Sequence, residues 1–255
     1  MLSVIKSDFY KLFRRKSFYI CGAVAGLFGI ILVVLINSLY PDAKDYGYNG
    51  LNSVGAGLGQ VTLLTTIFLS MFIPSEFAYG TIKNMASRGI SRVSIYVSKL
   101  IMGIFTAVTY TLFTALCGFV SGSIMWGVGE FKSDDFLETL KLFGLFLLAQ
   151  ICLESVFIMV GFLIQHTGGT VATNLGLLFI TDILITPIIN FVIKNWPLFG
   201  YTIKSEEYWA GNYVKVFMEV SPEQDIINRG ILVCLTYLVI STAVGIFTFC
   251  KRDIK

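Results

Sequence analysis

From Ser17 to Tyr40 the chain carries no Asp, Glu, Lys or Arg, and stretches of the same kind return over Leu51 to Ser75, Leu100 to Gly129 and Gly230 to Cys250. Two further runs, Leu142 to Gln165 and Thr170 to Ile193, each hold a single acid, Glu154 and Asp182. An apolar run beyond about 18 residues reads as a membrane-crossing helix, because in hydrocarbon only a helix pairs its own backbone groups. Six such runs predict an all-α integral membrane chain with six transmembrane helices. The composition agrees, since 14% charged residues are too few for a water-facing surface, which takes about 25%.

An even number of crossings puts both termini on one side. Lys6, Lys11, Arg14, Arg15 and Lys16, then Lys83, Arg88, Arg92 and Lys99, then Lys251, Arg252 and Lys255 share that side with only Asp8, Glu76 and Asp253. The opposite side carries more acids than bases. Positive charge stays in the cytoplasm, so both termini are expected there. Residues 1–16 form an amphipathic start in which Leu2, Ile5, Phe9, Leu12 and Phe13 recur at helical spacing while bases take other faces. This predicts an interfacial helix lying among lipid headgroups, followed by an anchor and not by a cleaved leader.

Three connections are expected on the outside: Pro41 to Gly50, Glu130 to Lys141, and the long aromatic segment 194–229, part of which should rest at the interface. His166 to Gly169 reads as a tight turn on the inside. All five cysteines fall in apolar runs without a CxxC pair, which supports neither a disulfide framework nor a zinc site. Nothing in the charge distribution implies nucleic acid.

The inward loop after the second run, residues 76–92, reads EFAYGTIKNMASRGISR. Tyr79, Ile82, Met85 and Ala86 give a short helix starting near Phe77 an apolar side. Gly89 suits a left-handed C-terminal cap, and Ser91 suits an N-cap for the next helix. An acid at the end of one span, then Gly80-Thr81-Ile82-Lys83, then Ser91-Arg92, then Lys99 at the mouth of the next, resembles the permease subunits of type-2 ATP-binding-cassette (ABC) exporters.

The resemblance extends to the basic N-terminal helix, the long loop between the fifth and sixth runs and the short basic tail. It implies one permease domain over 1–255, with a cytoplasmic coupling helix in which Glu76, Tyr79, Gly80, Thr81, Ile82, Lys83, Arg88 and Arg92 engage a separate ATPase. It also implies a second permease subunit, identical or homologous. The size is similar to small bacterial permeases of peptide-antibiotic immunity, including lantibiotic and bacitracin resistance, and of peptide export. An amphipathic peptide substrate and a place in the bacterial plasma membrane, with membrane lipid as surroundings, are implied with it.

The chain itself has no phosphate loop: Gly55 to Gly59 lacks the Lys-Ser/Thr pair and better fits close helix packing. Any Mg-ATP would belong to the partner ATPase, and no cofactor is expected here. A lone histidine, His166, excludes a multi-histidine metal site or a Cys/Ser-His dyad within one chain. The sharpest polar features are two stripes, Gln150, Glu154, Gly161 and Gln165 on the fourth run and Asn174, Thr181, Asp182, Thr186 and Asn190 on the fifth. They either line a route for a cationic amphipathic substrate or hydrogen-bond helices together. A self-sufficient secondary transporter or channel that uses Glu154 and Asp182 for ion coupling is the alternative function.

Overall fold

The structure, a computed structural model, describes residues 1–40, 49–129, 133–180, 187–188, 209–216 and 224–252. Among them the regular structure is entirely helical. Helix α1 (Leu2–Arg14) is joined at Arg15 to α2 (Lys16–Leu39), and a short 3-10 turn (Asn52–Gly55) leads into α3 (Leu58–Ala78). Then come α4 (Thr81–Ser87), α5 (Arg92–Trp126), α6 (Ser133–Ile164) and α7 (Thr167–Ile180). A short α8 (Ala210–Val216) precedes the last helix, α9 (Gln224–Lys251).

Among the described residues five helices are long and apolar enough to cross a membrane: Lys16–Leu39, Ser53–Ala78, Arg92–Trp126, Thr139–Ile164 and Gln224–Lys251. The expected sixth, Thr170 to Ile193, is helical through Ile180, while 181–186 and 189–193 lie outside the described residues. The most apolar windows of α3 and α6 are 61% buried against 28% for α2 and α9, so α3 and α6 form the centre of the described helices and α2 and α9 lie on the outside.

Small residues set how closely these helices approach. Gly22, Gly26 and Gly29 of α2 face Tyr110, Phe113 and Thr114 of α5, and a Cβ on Gly118 would sit 2.4 Å from the Ser53 carbonyl oxygen. Gly57 adopts φ +81° with its missing Cβ pointing at the Gly29 backbone, 2.7 Å away. Of the glycines at 55–59 it is Gly57 that makes the close helix contact and opens α3, while Gly55 and Gly59 meet nothing within 4 Å.

Several boundaries differ from the sequence reading. Helix α6 begins at Ser133 and α9 at Gln224, not at Leu142 and Gly230, because hydropathy finds only the part of a helix that meets lipid. The first turn of α9 is stabilised by Asp225 next to the positive helix end. Within the long loop, α8 turns Ala210, Tyr213 and Val214 into the core, and Trp209 stacks edge-on against Tyr237 at 6.1 Å. Trp209 and Tyr213 of this loop thus pack on protein. The buried residues of α1 are Val4, Asp8 and Leu12; of the expected apolar stripe Leu12 is buried and Phe9 packs on Phe105 at 4.8 Å, while Leu2 and Phe13 are exposed.

Candidate functional site

The segment after α3 is shaped by its glycines. Helix α3 runs on to Ala78, and Gly80, at φ +67°, breaks the chain before α4 starts at Thr81, four residues later than the apolar spacing predicts. The Thr81 hydroxyl donates to the Glu76 carbonyl at 2.8 Å and ties the two helices across the break. At the far end Gly89, φ +77°, closes α4 with paired bonds from Gly89 N–H to the Ala86 carbonyl (3.1 Å) and from Ile90 N–H to the Met85 carbonyl (3.3 Å). That is the Schellman arrangement. Ser91 then caps α5 by accepting from Ser94 N–H at 3.3 Å. The result is a short knob defined at both ends. Tyr79, Lys83, Asn84 and Arg88 are exposed on it, while Ile82 is fully buried.

Glu76 points inward. With 35 residues, α5 is about 52 Å long, more than the about 30 Å of hydrocarbon, and it carries its charged residues, Arg92 and Lys99, in its first turns. There Lys99 is completely buried. Its ammonium lies 2.6 Å from Asp8 Oδ1 of α1 and 2.5 Å from Glu76 Oε2 of α3. Ser98 donates to the other Asp8 oxygen at 2.6 Å, and Lys11 reaches Glu76 Oε1 at 3.3 Å and Asp8 Oδ1 at 3.7 Å. Asp8, Glu76 and Lys99 are shut off from water and Lys11 is partly exposed at their edge, so two acids and two bases compensate each other, which is what makes buried charge tolerable. The Phe72 ring lies beneath, with Arg15 4.5 Å and Lys99 5.5 Å from its centre.

Arg92, expected to face a partner, turns to the end of α9. Its guanidinium donates to the carbonyls of Phe249 (3.2 Å), Cys250 (3.0 Å) and Arg252 (2.6 Å). Those carbonyls are the acceptors a helix C-terminus leaves unpaired, and a cation there also meets the negative end of the helix dipole. Arg252 in turn donates to the Leu163 carbonyl at the end of α6. A cleft of about 380 Å³ with a mixed polar and apolar lining lies between α1 and α4, with Ser3, Val4, Ser7 and Lys11 on one wall and Thr81, Asn84, Met85 and Arg88 on the other.

The interior polar residues converge on α3. The Gln150 amide accepts from Thr62 Oγ1 at 2.6 Å and donates to Thr65 Oγ1 at 2.7 Å and to Glu154 Oε1 at 2.9 Å. Asn174 donates to Ser70 Oγ at 2.7 Å and to the Phe157 carbonyl at 3.3 Å. The two stripes are thus joined through hydroxyls of α3, which the sequence reading passed over, and Asp8 was missed in the same way. The signals were present: Thr62, Thr65, Thr66 and Ser70 in one span, and a single acid among the bases of α1. Glu154 is fully buried, and its second oxygen has no hydrogen-bond partner among the described residues. Thr181, Asp182, Thr186 and Asn190 lie outside the described residues. Gly161 packs on Ile73, and Gln165 donates to the Phe162 carbonyl at 3.2 Å.

His166 serves as a cap, its Nδ1 accepting from Gly169 N–H at 3.4 Å at the start of α7. Among the described residues no group of three or more His, Cys, Asp or Glu is placed to hold a metal ion. An apolar groove of about 740 Å³ opens between α6 and α9, lined by Val156, Met159, Leu232, Tyr237 and Val244 among others.

A family model described as "ABC-2 family transporter protein" matches residues 4–181, more than half of the chain, from α1 through α7. No curated protein matches it.

Proposed function

Since the chain belongs to the ABC-2 transporter family, a family of multi-pass transmembrane subunits, we propose that it is the permease of an ATP-driven exporter whose motor is a separate ATPase. The ATPase grips the α4 knob, with Tyr79, Lys83 and Arg88 facing it. Gly80 and Thr81 set the knob's angle, and Glu76, Ile82 and Arg92 hold it from inside. The observation that carries this reading is the knob itself: a helix of seven residues, capped at both ends and anchored in buried charge, transmits displacement where a slack loop would absorb it.

Both termini and the knob face the cytoplasm of a bacterial cell, and a second permease, identical or homologous, completes the pathway. The substrate is an amphipathic molecule, in the first instance a membrane-active peptide, moved outward in self-immunity, resistance or secretion. The lipid-facing groove between α6 and α9 supports lateral access for such a molecule. Purification from native membranes tests the motor reading. The unmodified chain should bring down an ATPase in stoichiometric amount, and Lys83→Glu or Arg88→Glu should lose it while the chain stays folded. An ATPase never recovered, or one indifferent to both substitutions, refutes the reading.

A second reading, an ion-coupled transporter that works alone, is favoured by the unpartnered oxygen of Glu154. It predicts gradient-driven transport by the purified single chain, abolished by Glu154→Gln.

A further inference from the structure

Beyond the contact with a motor, and resting on that reading, we infer that Lys99 is a positioning residue that locks α1 to the α4 knob. The N-terminal helix then moves with the coupling segment instead of resting passively among headgroups. Three elements meet at one ammonium: α1 through Asp8, the end of α3 through Glu76, and α5 through Lys99 itself. Helix α1 grips Glu76 a second time through Lys11, one turn beyond Asp8, and Ser98 fixes the remaining Asp8 oxygen.

Helix α1 packs on α5 through Phe9 and Phe105, but a cleft lies between α1 and α4, so direct packing between those two is not what joins them. The charge cluster at the root of the knob is. An amphipathic helix held only by apolar contact slides at little cost, whereas any slide here pulls a carboxylate off the ammonium while both stay out of water. The arrangement is therefore either intact or broken, with no gradual state between. Leu2, Tyr10 and Phe13 are exposed on α1, so a push on the knob reaches the lipid surface through them.

The test reads the spacing across the cleft and needs no substrate. Ser7→Cys and Asn84→Cys stand on its two walls, in a Cys250→Ser background that removes the exposed native thiol. A short bis-maleimide crosslinker is applied to the ATPase complex in nanodiscs, without nucleotide and after trapping with ATP and vanadate. With the cluster intact, the crosslinking rate should be the same in both states. In Lys99→Met, and in the charge-free Asp8→Asn/Glu76→Gln/Lys99→Met triple variant that leaves none of these three charges buried, the rates should differ several-fold between states. A nucleotide-dependent rate in the intact protein overturns the inference. So does a triple variant that folds and still shows one rate, because the cluster is then glue. If no ATPase accompanies the unmodified chain, the motor reading falls on that result alone. The lock is then judged on the lone chain, where the triple variant must crosslink at a rate several-fold different from the intact one, and equal rates overturn it.

Discussion

Replacing Gln150 by Leu separates helix adhesion from a charged pathway. The amide sits at the centre of the α3–α6 contact, and Leu removes all three of its bonds, at 2.6, 2.7 and 2.9 Å. Interhelical side-chain hydrogen bonds in membrane proteins average about 0.6 kcal/mol each, so their loss alone costs about 2 kcal/mol. The loss does not fall evenly. Thr65 keeps its bonds to the Val61 and Thr62 carbonyls, and Thr62 is free to turn to its own helix as Thr66 already does. Glu154 fares worse: its Oε1 loses the Gln150 donor, which leaves the Thr65 hydroxyl as its side-chain neighbour, and its Oε2 had no partner among the described residues. Leaving a buried polar group unmet adds about 1–3 kcal/mol, which brings the expected cost to about 3–5 kcal/mol. Adding Glu154→Leu removes the stranded carboxyl and should return part of that cost, so the double variant is more stable than Gln150→Leu alone. Equilibrium unfolding of the purified chain in mixed micelles, followed by circular dichroism, measures both. A Gln150→Leu variant within about 0.5 kcal/mol of the parent, as for an ordinary surface change, or a double variant less stable than the single one, would refute this account of the interface.

Four further outcomes are expected. Gly118→Ala drives a methyl into the Ser53 carbonyl and should cost about 1–3 kcal/mol, whereas Gly59→Ala, with nothing within 4 Å, should be neutral or slightly stabilising; thermal melting in detergent compares them. Ser91→Ala and Gly89→Ala should each cost about 1 kcal/mol, seen as faster amide exchange over residues 85–95 with the rest of the chain unchanged. Arg92→Gln should free the last turn of α9, and exchange at 247–252 should rise without loss of α5. A Thr81→Cys probe should react with an impermeant maleimide only from the cytoplasmic side in sealed membranes; reaction from outside would reverse the proposed orientation and remove the motor reading with it.

What the sequence made legible follows from which physical terms act locally. The caps at Gly89 and Ser91 depend on backbone conformation and one side chain a few residues away, so both are readable from spacing, and both stand in the structure. Five of the six expected spans were equally readable from the scarcity of charge. Helix ends were not, because the first turns of α6 and α9 extend past the hydrocarbon and carry polar residues that hydropathy assigns to loops. The charge cluster was also hidden. Asp8, Glu76 and Lys99 are far apart in sequence, and each is an ordinary flanking charge until the fold buries them together. Arg92 illustrates the same limit, since a base at a helix start does not announce that the end of another helix lies within its reach.

Most of the polar links described above pass through α3 or the first turns of α5. Helix α3 holds the interior hydroxyls that meet Gln150 and Asn174, and one turn after Ser70 it places Pro74, which has no N–H for the Ser70 carbonyl and therefore weakens the helix there. Glu76 follows two residues later and belongs to the charge cluster. Helix α3 is thus divided at Pro74 into an upper part bound to α6 and α7 by neutral hydrogen bonds and a lower part bound to α1 and α5 by charge. Breaking a buried ion cluster costs several times as much as breaking one neutral bond in a membrane core, so a displacement of α4 should leave the lower unit intact and be taken up at Pro74 and in the neutral contacts above it. The buried charge fixes what moves together, and the Thr62–Gln150–Glu154 contact, being weaker, is where the helices part.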